Sequence, residues 1–564
     1  MGDQRIVKAD SIITMNPEQP RAQAVAYDTE SGRITAVGSL AECESAAPGA
    51  EVVDLGDTVL MPGFIDAHSH PIISGTVTQL PAHWIAPYVG YPTWDDVKTY
   101  IGELDEKTEK GLPLLLTGLD RMLHGAPNLT REDLDAILPD RAILIIDNSG
   151  HEIYFNTALV KMMGWADLKP PADPVGGSFG RNEDGTSDGR AKELSAVLPV
   201  ASVVLEKIVT HPLLGAARFY KLMGTNGITA TSDHTYDSSS KQGYAALAAM
   251  PDSPLRISLY HVSFADDADE QLDLPTPKTM VEKTGIKLWG DGSPWVGNIA
   301  ASFPYCNCST VTDAGIPLGP DGEKNMNYTR IELDQILDKF APAGWQMAFH
   351  VNGDIAIDIV LDAYERALVK YDLLGTDHRW RIEHVGAGRP DQFQRAASLG
   401  VTPSLGPFQF IYWGDLLDGT LFDHEIGSQW QAFKAAFDAG MRPSFHNDGS
   451  VSPPIPLLNV QAAITRQTPS GQTHGVDQII SLDDALKAIT INSAWQLRRD
   501  DDIGSIETGK LADFVELSKD PYLADPTKLA EQVKVLGTWL NGRKVDLDAF
   551  VSQVEALPVP GADH

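Results

Sequence analysis

Gln346-Met-Ala-Phe-His350 is a short apolar run closed by a histidine; the helical stretch Ile355 to Lys370 follows, and Trp380-Arg-Ile-Glu-His384 repeats the run. Strand, helix and strand of the same kind make one βαβ unit. Outward from it lie Gly227-Ile-Thr-Ala-Thr-Ser-Asp, Leu255-Arg-Ile-Ser-Leu-Tyr-His, Gly285-Ile-Lys-Leu-Trp-Gly-Asp, Val401-Thr-Pro-Ser-Leu and Arg442-Pro-Ser-Phe-His-Asn-Asp, with a second helical stretch from Gln429 to Ala439. Leu60-Met-Pro-Gly-Phe-Ile-Asp brings the runs to eight. The expected fold is therefore α/β, a (β/α)8 TIM-like barrel. Nearly every run contains or ends in His, Asp, Glu or Lys, as expected where catalytic groups sit at the C-terminal ends of barrel strands.

The two chain ends read differently. Arg5-Ile-Val-Lys-Ala-Asp-Ser-Ile-Ile-Thr, Ala24-Val-Ala-Tyr, Arg33-Ile-Thr-Ala-Val-Gly and Glu51-Val-Val-Asp-Leu-Gly are strand-like, with a turn at Ser31-Gly32. Asp513-Phe-Val-Glu-Leu and Val533-Lys-Val-Leu-Gly-Thr-Trp-Leu continue the style, and Asn541-Gly542 is a strong hairpin signal. A small β-sandwich built from residues 1–60 and 501–564 is expected, with the barrel, 61–500, inserted between its halves. About 150 residues separate the first two barrel strands, far more than a plain crossover needs, so an inserted subdomain is expected at about 75–215. It carries Pro113-Leu-Leu-Leu-Thr-Gly, Ala142-Ile-Leu-Ile-Ile-Asp and the glycine-rich Gly176-Gly-Ser-Phe-Gly.

Bulk properties narrow the function. The formal net charge is −33, from 44 basic and 77 acidic side chains, which disfavours nucleic acid and anionic lipid as partners. Three cysteines, Cys43, Cys306 and Cys308, do not make a disulfide framework. The start, Met-Gly-Asp-Gln-Arg-Ile-Val, has no apolar signal-like core, and no apolar run is long enough to span a bilayer. A cytoplasmic enzyme acting on a small molecule, assembled as a homo-oligomer such as a dimer, is the expectation.

The chemistry gathers at the strand ends. His68 and His70 stand two apart on the first strand, so both imidazoles share a face. Imidazole suits zinc and related ions, although a structural pair in a polar barrel mouth would look the same. His350, His384 and Asp448 close the fifth, sixth and eighth strands. Together the four histidines and the aspartate could form a metal's ligand shell with room for water. Lys287 lies within an apolar strand, which is costly unless it is neutralised, paired or modified. Asp354 reads as a helix N-cap and Glu383 as a structural residue pointing away from His384. His446, two before Asp448, could touch substrate, hold Asp448 or be a satisfied polar filler.

Pro62-Gly-Phe-Ile-Asp-Ala-His-Ser-His, Ile286-Lys-Leu-Trp-Gly-Asp-Gly, His350-Val-Asn-Gly-Asp, Arg381-Ile-Glu-His and Gly504-Ser-Ile-Glu-Thr-Gly-Lys-Leu-Ala-Asp-Phe resemble the signatures of the amidohydrolase superfamily. The insertion with Gly150-His-Glu-Ile-Tyr-Phe-Asn-Thr-Ala-Leu resembles its family 3 branch, which includes N-substituted formamide deformylases. The resemblance covers nearly the whole chain. It implies that His68, His70 and Asp448 bind one metal, that His350 and His384 bind a second, and that a carboxylated Lys287 bridges them; one or two zinc or other divalent ions are expected. It also places His151 facing the site, as a donor to a substrate carbonyl. Phe445-His-Asn-Asp departs from the Gly-Ser-Asp strand end of many relatives and narrows the site.

The expected reaction is hydrolysis of a C–N bond, amide or formamide, with Asp448 shuttling the proton. Aromatic residues follow the strand ends, and Trp295, Tyr305 and Trp413, with His446, are the candidate substrate contacts in a largely apolar pocket. A deaminase or an ester or lactone hydrolase on the same site is the alternative. A non-catalytic scaffold is disfavoured because all six candidate ligands are present.

Overall fold

The computed structural model describes residues 3–174 and 177–558; Met1, Gly2 and Gly176, used above, lie outside them. The barrel strands are β1 (Phe64–Ser69), β2 (Ile228–Tyr236), β3 (Arg256–Val262), β4 (Val281–Trp289), β5 (Gln346–Val351), β6 (Arg381–His384), β7 (Thr402–Leu405) and β8 (Ser444–Phe445). They pair in chain order, each neighbour parallel to the next. β8 is only two residues long, so the ring is completed by loop and side-chain bonds: Asp448 N donates to His68 O at 3.2 Å, and Asn447 N to Asp66 Oδ1 at 3.2 Å.

All eight runs are therefore barrel strands, with local differences. Val59–Pro62, the front of the first run, belongs to the terminal sheet, and β1 starts at Phe64. Helix Asp354–Lys370 forms as read, whereas the second helical stretch shortens to Phe433–Asp438. Gln431 takes a left-handed φ of 58°, which no helix continues through. No helix joins β3 to β4, where Leu274-Pro-Thr-Pro277 interrupts the chain. The barrel floor is closed by Ala494, Leu497, Ile503 and Leu511 packed on Ile65, Ala230, Tyr260 and Ala348.

The chain ends meet in one branched sheet. Val59–Pro62 lies antiparallel to Phe514–Leu517 and parallel to Gln4–Ile13, which also pairs with Glu51–Asp54. Arg21–Asp28 and Ile34–Gly38 extend one side. On the other, Val535–Leu540 and Arg543–Lys544 form the hairpin at Asn541-Gly542, both with positive φ as such a turn requires. A helix, Leu40–Ala46, interrupts the expected run of strands and covers Ile6, Ala24 and Ala26 through Cys43. Arg256 of β3 pairs with Asp513 in a buried fork (Nη2–Oδ1 2.9 Å), tying sheet to barrel.

Between β1 and β2 runs a second sheet of six strands, from His83–Trp84 to Ser187–Lys192. Its stems are helices Pro71–Thr78 and Leu214–Thr225. They touch at Gly75 and Gly215, where a Cβ on Gly75 would meet Gly215 O at 2.4 Å. No helix among the described residues is long and apolar enough to cross a membrane.

Candidate metal centre

The strand ends bring the predicted ligands to one place. His68, His70 and Asp448 offer ligand atoms lying within 4.8 Å of one another, and so do His68, His384 and His446. His70 Nε2 is 3.1 Å from Asp448 Oδ1, and His68 Nε2 is 3.2 Å from Lys287 Nζ. The His350 and His384 rings are 4.5 Å apart, centre to centre, and His151 approaches His350 at 5.6 Å.

Hydrogen-bond partners decide which ring nitrogens are free. Glu383 Oε2 accepts from His68 Nδ1 at 2.7 Å, so the His68 hydrogen sits there and Nε2 carries a lone pair. Gly292 O accepts from His350 Nε2 at 2.9 Å, leaving Nδ1 bare. His384 Nε2 is buried without any partner. Thr235 donates to Asp233 Oδ1 at 2.8 Å, so its oxygen accepts from His70 Nδ1 at 3.3 Å. His70 Nε2 then faces the Asp448 carboxylate with no hydrogen of a neutral imidazole left between them; a bound cation, or a second proton on His70, reconciles the two.

Electrostatics match. Burial holds His68, His350 and His384 well below the ordinary imidazole value, so they are neutral donors. Burial also lowers Lys287 to about 8. Burial pushes the Asp448 pKa up, but the neighbouring His70, His446 and Lys287 side chains outweigh it and hold it below the ordinary carboxylate value, so Asp448 is an anion. The donor set of neutral imidazoles, a carboxylate and an orphaned lone pair fits a divalent ion.

Two local expectations change, and one open reading narrows. Glu383 does not point away: Arg381 and Glu383 both face the barrel interior, where Arg381 clasps Glu383 at 2.8 and 2.9 Å. Strict alternation would then turn His384 outward, but left-handed φ values at His384 (69°) and Val385 (53°) swing it back to the mouth. Asp354 does not cap its helix; Gly353 holds that position, and Asp354 accepts from Ser302 and Arg389 instead. His446 bonds His384 (3.1 Å) and Ser404 (2.9 Å), with no bond to Asp448.

A sequence profile of the amidohydrolase family matches residues 51–546. The chain belongs to the amidohydrolase family. Within it the chain falls in the family 3 branch. It is 27% identical to N-substituted formamide deformylase of Arthrobacter pascens, over 96% of this chain and 98% of that one. It is 26% identical to the putative amidohydrolase YtcJ of Bacillus subtilis, over 95% and 98%. Its fold resembles that of an uncharacterized metal-dependent hydrolase of Pyrococcus horikoshii, with a TM-score of 0.70 at 22% identity, covering 93% of this chain and 99% of that one.

Other parts of this amidohydrolase surround the centre. His151 Nδ1 lies 3.1 Å from Glu193 Oε2, and Asn298 donates to Glu193 Oε1 at 2.6 Å. Trp295, Tyr305 and Trp413 are buried in one apolar cluster: Trp295 stacks on Trp413 at 4.4 Å, Trp413 Nε1 donates to Asp120, and the Tyr305 hydroxyl to Pro294 O. The inserted segment clasps the loop after β8, where Tyr88 and Asn148 both donate to Val451 O. Sequence reading passed over His234, which stacks between His68 (3.9 Å) and Tyr260 (4.2 Å). It directly follows Asp233, the last residue quoted from the β2 run, near the end of that strand, so the strand-end rule could have found it.

Proposed function

We propose that this amidohydrolase is a metal-dependent hydrolase of a C–N bond, an amide or formamide whose N-substituent is apolar or aromatic. The observation that carries it is the His70 Nε2–Asp448 Oδ1 contact of 3.1 Å, two acceptors with no proton of a neutral imidazole between them. His68, His70 and Asp448 would hold one divalent ion, zinc by preference, and His384 and His350 a second. When bound, the metal supplies Lewis acidity that polarises an acyl oxygen and acidifies water.

The chain's own groups do the rest. Asp448, anionic at rest, accepts the proton of the attacking water and returns it to the leaving nitrogen. His151, propped by Glu193, donates to the developing oxyanion. Lys287, buried and lowered to about 8, has a neutral amine fraction able to attack carbon dioxide. The product, a carbamate plus a released proton, would replace a buried cation by an anionic oxygen donor available to a metal. The aromatic cluster of Trp295, Tyr305 and Trp413 would pack against the N-substituent. The chain's similarity to a formamide deformylase supports formamides as the first substrates to try.

The test is a panel of N-substituted formamides, acetamides, esters and aminated heterocycles with zinc-loaded protein. Formate and amine release from the aryl or alkyl formamides is expected; turnover confined to esters or to ring amino groups would contradict the reading.

A further inference from the structure

A chain of hydrogen bonds runs from the barrel floor to His384. Gln496 Nε2 donates to Thr402 Oγ1 (2.9 Å) and to the carbonyls of Pro403 and Arg442 (2.8 Å each). Flipping the amide would set its oxygen against two carbonyl oxygens, so Oε1 must face Ser444, 2.7 Å away. Oε1 can only accept, so the single Ser444 hydrogen goes to Gln496. The 2.9 Å Ser404–Ser444 contact is then donated by Ser404. With its hydrogen committed, Ser404 accepts from His446 Nδ1 at 2.9 Å. His446 Nε2 is left as an acceptor and takes the hydrogen of His384 Nδ1 at 3.1 Å. The relay ends at His384 Nε2, a lone pair that is buried with no partner.

We infer that His446 is a positioning residue: the polarity set by Gln496 and passed through Ser444, Ser404 and His446 fixes His384 as the Nδ1–H tautomer, presenting Nε2 as a ready-made metal donor. The consequence for metal rests on the function proposed above, but the tautomer does not, so the two can fail separately. A relay of neutral groups can run either way, and one fixed end decides it. The amide supplies that end because both of its own hydrogens are spoken for. Ser404 and Ser444 are of use here because a hydroxyl passes on the direction it receives. The departure at Phe445-His-Asn-Asp thereby gains a role: His446 links β8 to the ligand on β6.

The experiment has two arms on the full chain. A neutron structure of the metal-stripped protein in D2O is expected to show deuterium on Nδ1 of His384 and His446 and none on Nε2 of either. Deuterium on His384 Nε2 would overturn the inference. In the second arm, Ser444→Ala frees the Ser404 hydroxyl to donate to His446 Nδ1, which reverses the relay and moves the His384 hydrogen to Nε2. Zinc affinity, read by competition with a chromogenic chelator, should fall about 10–100-fold, the usual cost of losing an outer partner of a ligand. Ser444→Thr keeps the hydroxyl and should restore it. Equal zinc affinity in wild type and Ser444→Ala, or equal loss in the Ala and Thr variants, would overturn it. If Ser444→Ala does not fold, the neutron arm decides alone.

Discussion

Glu383 Oε2 lies 2.7 Å from His68 Nδ1 while the same carboxylate is clasped by Arg381, with all three side chains buried. The carboxylate thus fixes the ring of a candidate metal ligand and neutralises a buried guanidinium at once. Glu383→Gln should weaken zinc binding about 10–100-fold. Leaving Arg381 uncompensated should cost about 3–5 kcal/mol of stability. Chelator competition and denaturant unfolding of the same preparation measure both; a loss in one alone would show that the two jobs are separate.

His151 offers a pH test. Burial pushes its pKa down, but the Glu193 carboxylate more than offsets this and the net shift is upward. The protonated donor is therefore present at low pH and lost as pH rises through that raised value. Glu193→Gln removes the upward push, so the alkaline fall in kcat/KM should move to lower pH. An alkaline limb unmoved by the substitution would remove His151 from the donor role.

How far these residues were legible in the sequence follows from their backbone. His350 and Asp448 close strand-like runs, and the runs repeat, so the barrel and the candidate ligands could be read together. Glu383 was misread because period-two alternation assumes strand geometry, and His384 leaves it with a φ of 69°. Asp354 was misread because Gly353 took the cap. Ser404, Ser444 and Gln496 gave no signal, since a serine in a strand looks like filler until its partner across the sheet is known. The insertion was legible as a length, while its Tyr88 and Asn148 grip on Val451 depends on tertiary contact.

Lys287→Ala should lose the second metal and most activity. Short carboxylic acids added to the variant should restore part of both, because an acid of that size replaces the proposed carbamate. Metal content by elemental analysis, with and without acetate, checks it. Two full equivalents of metal and normal turnover in Lys287→Ala would argue against any bridging role.

Asp448→Asn keeps the side-chain shape and one ligating oxygen but removes the proton acceptor. Turnover should fall by at least about 10²–10⁴-fold, with the fold and part of the metal retained. Near-normal turnover in the metal-bound variant would pass the shuttle role to another group, His151 first.

The account stands on a cation between His70 and Asp448. Elemental analysis of wild-type protein purified without chelator is the most direct measurement, paired with activity before and after metal removal. The account predicts at least one equivalent of divalent metal, zinc by preference, loss of activity on stripping and recovery on adding it back. A well-folded protein that is free of metal and fully active would contradict it.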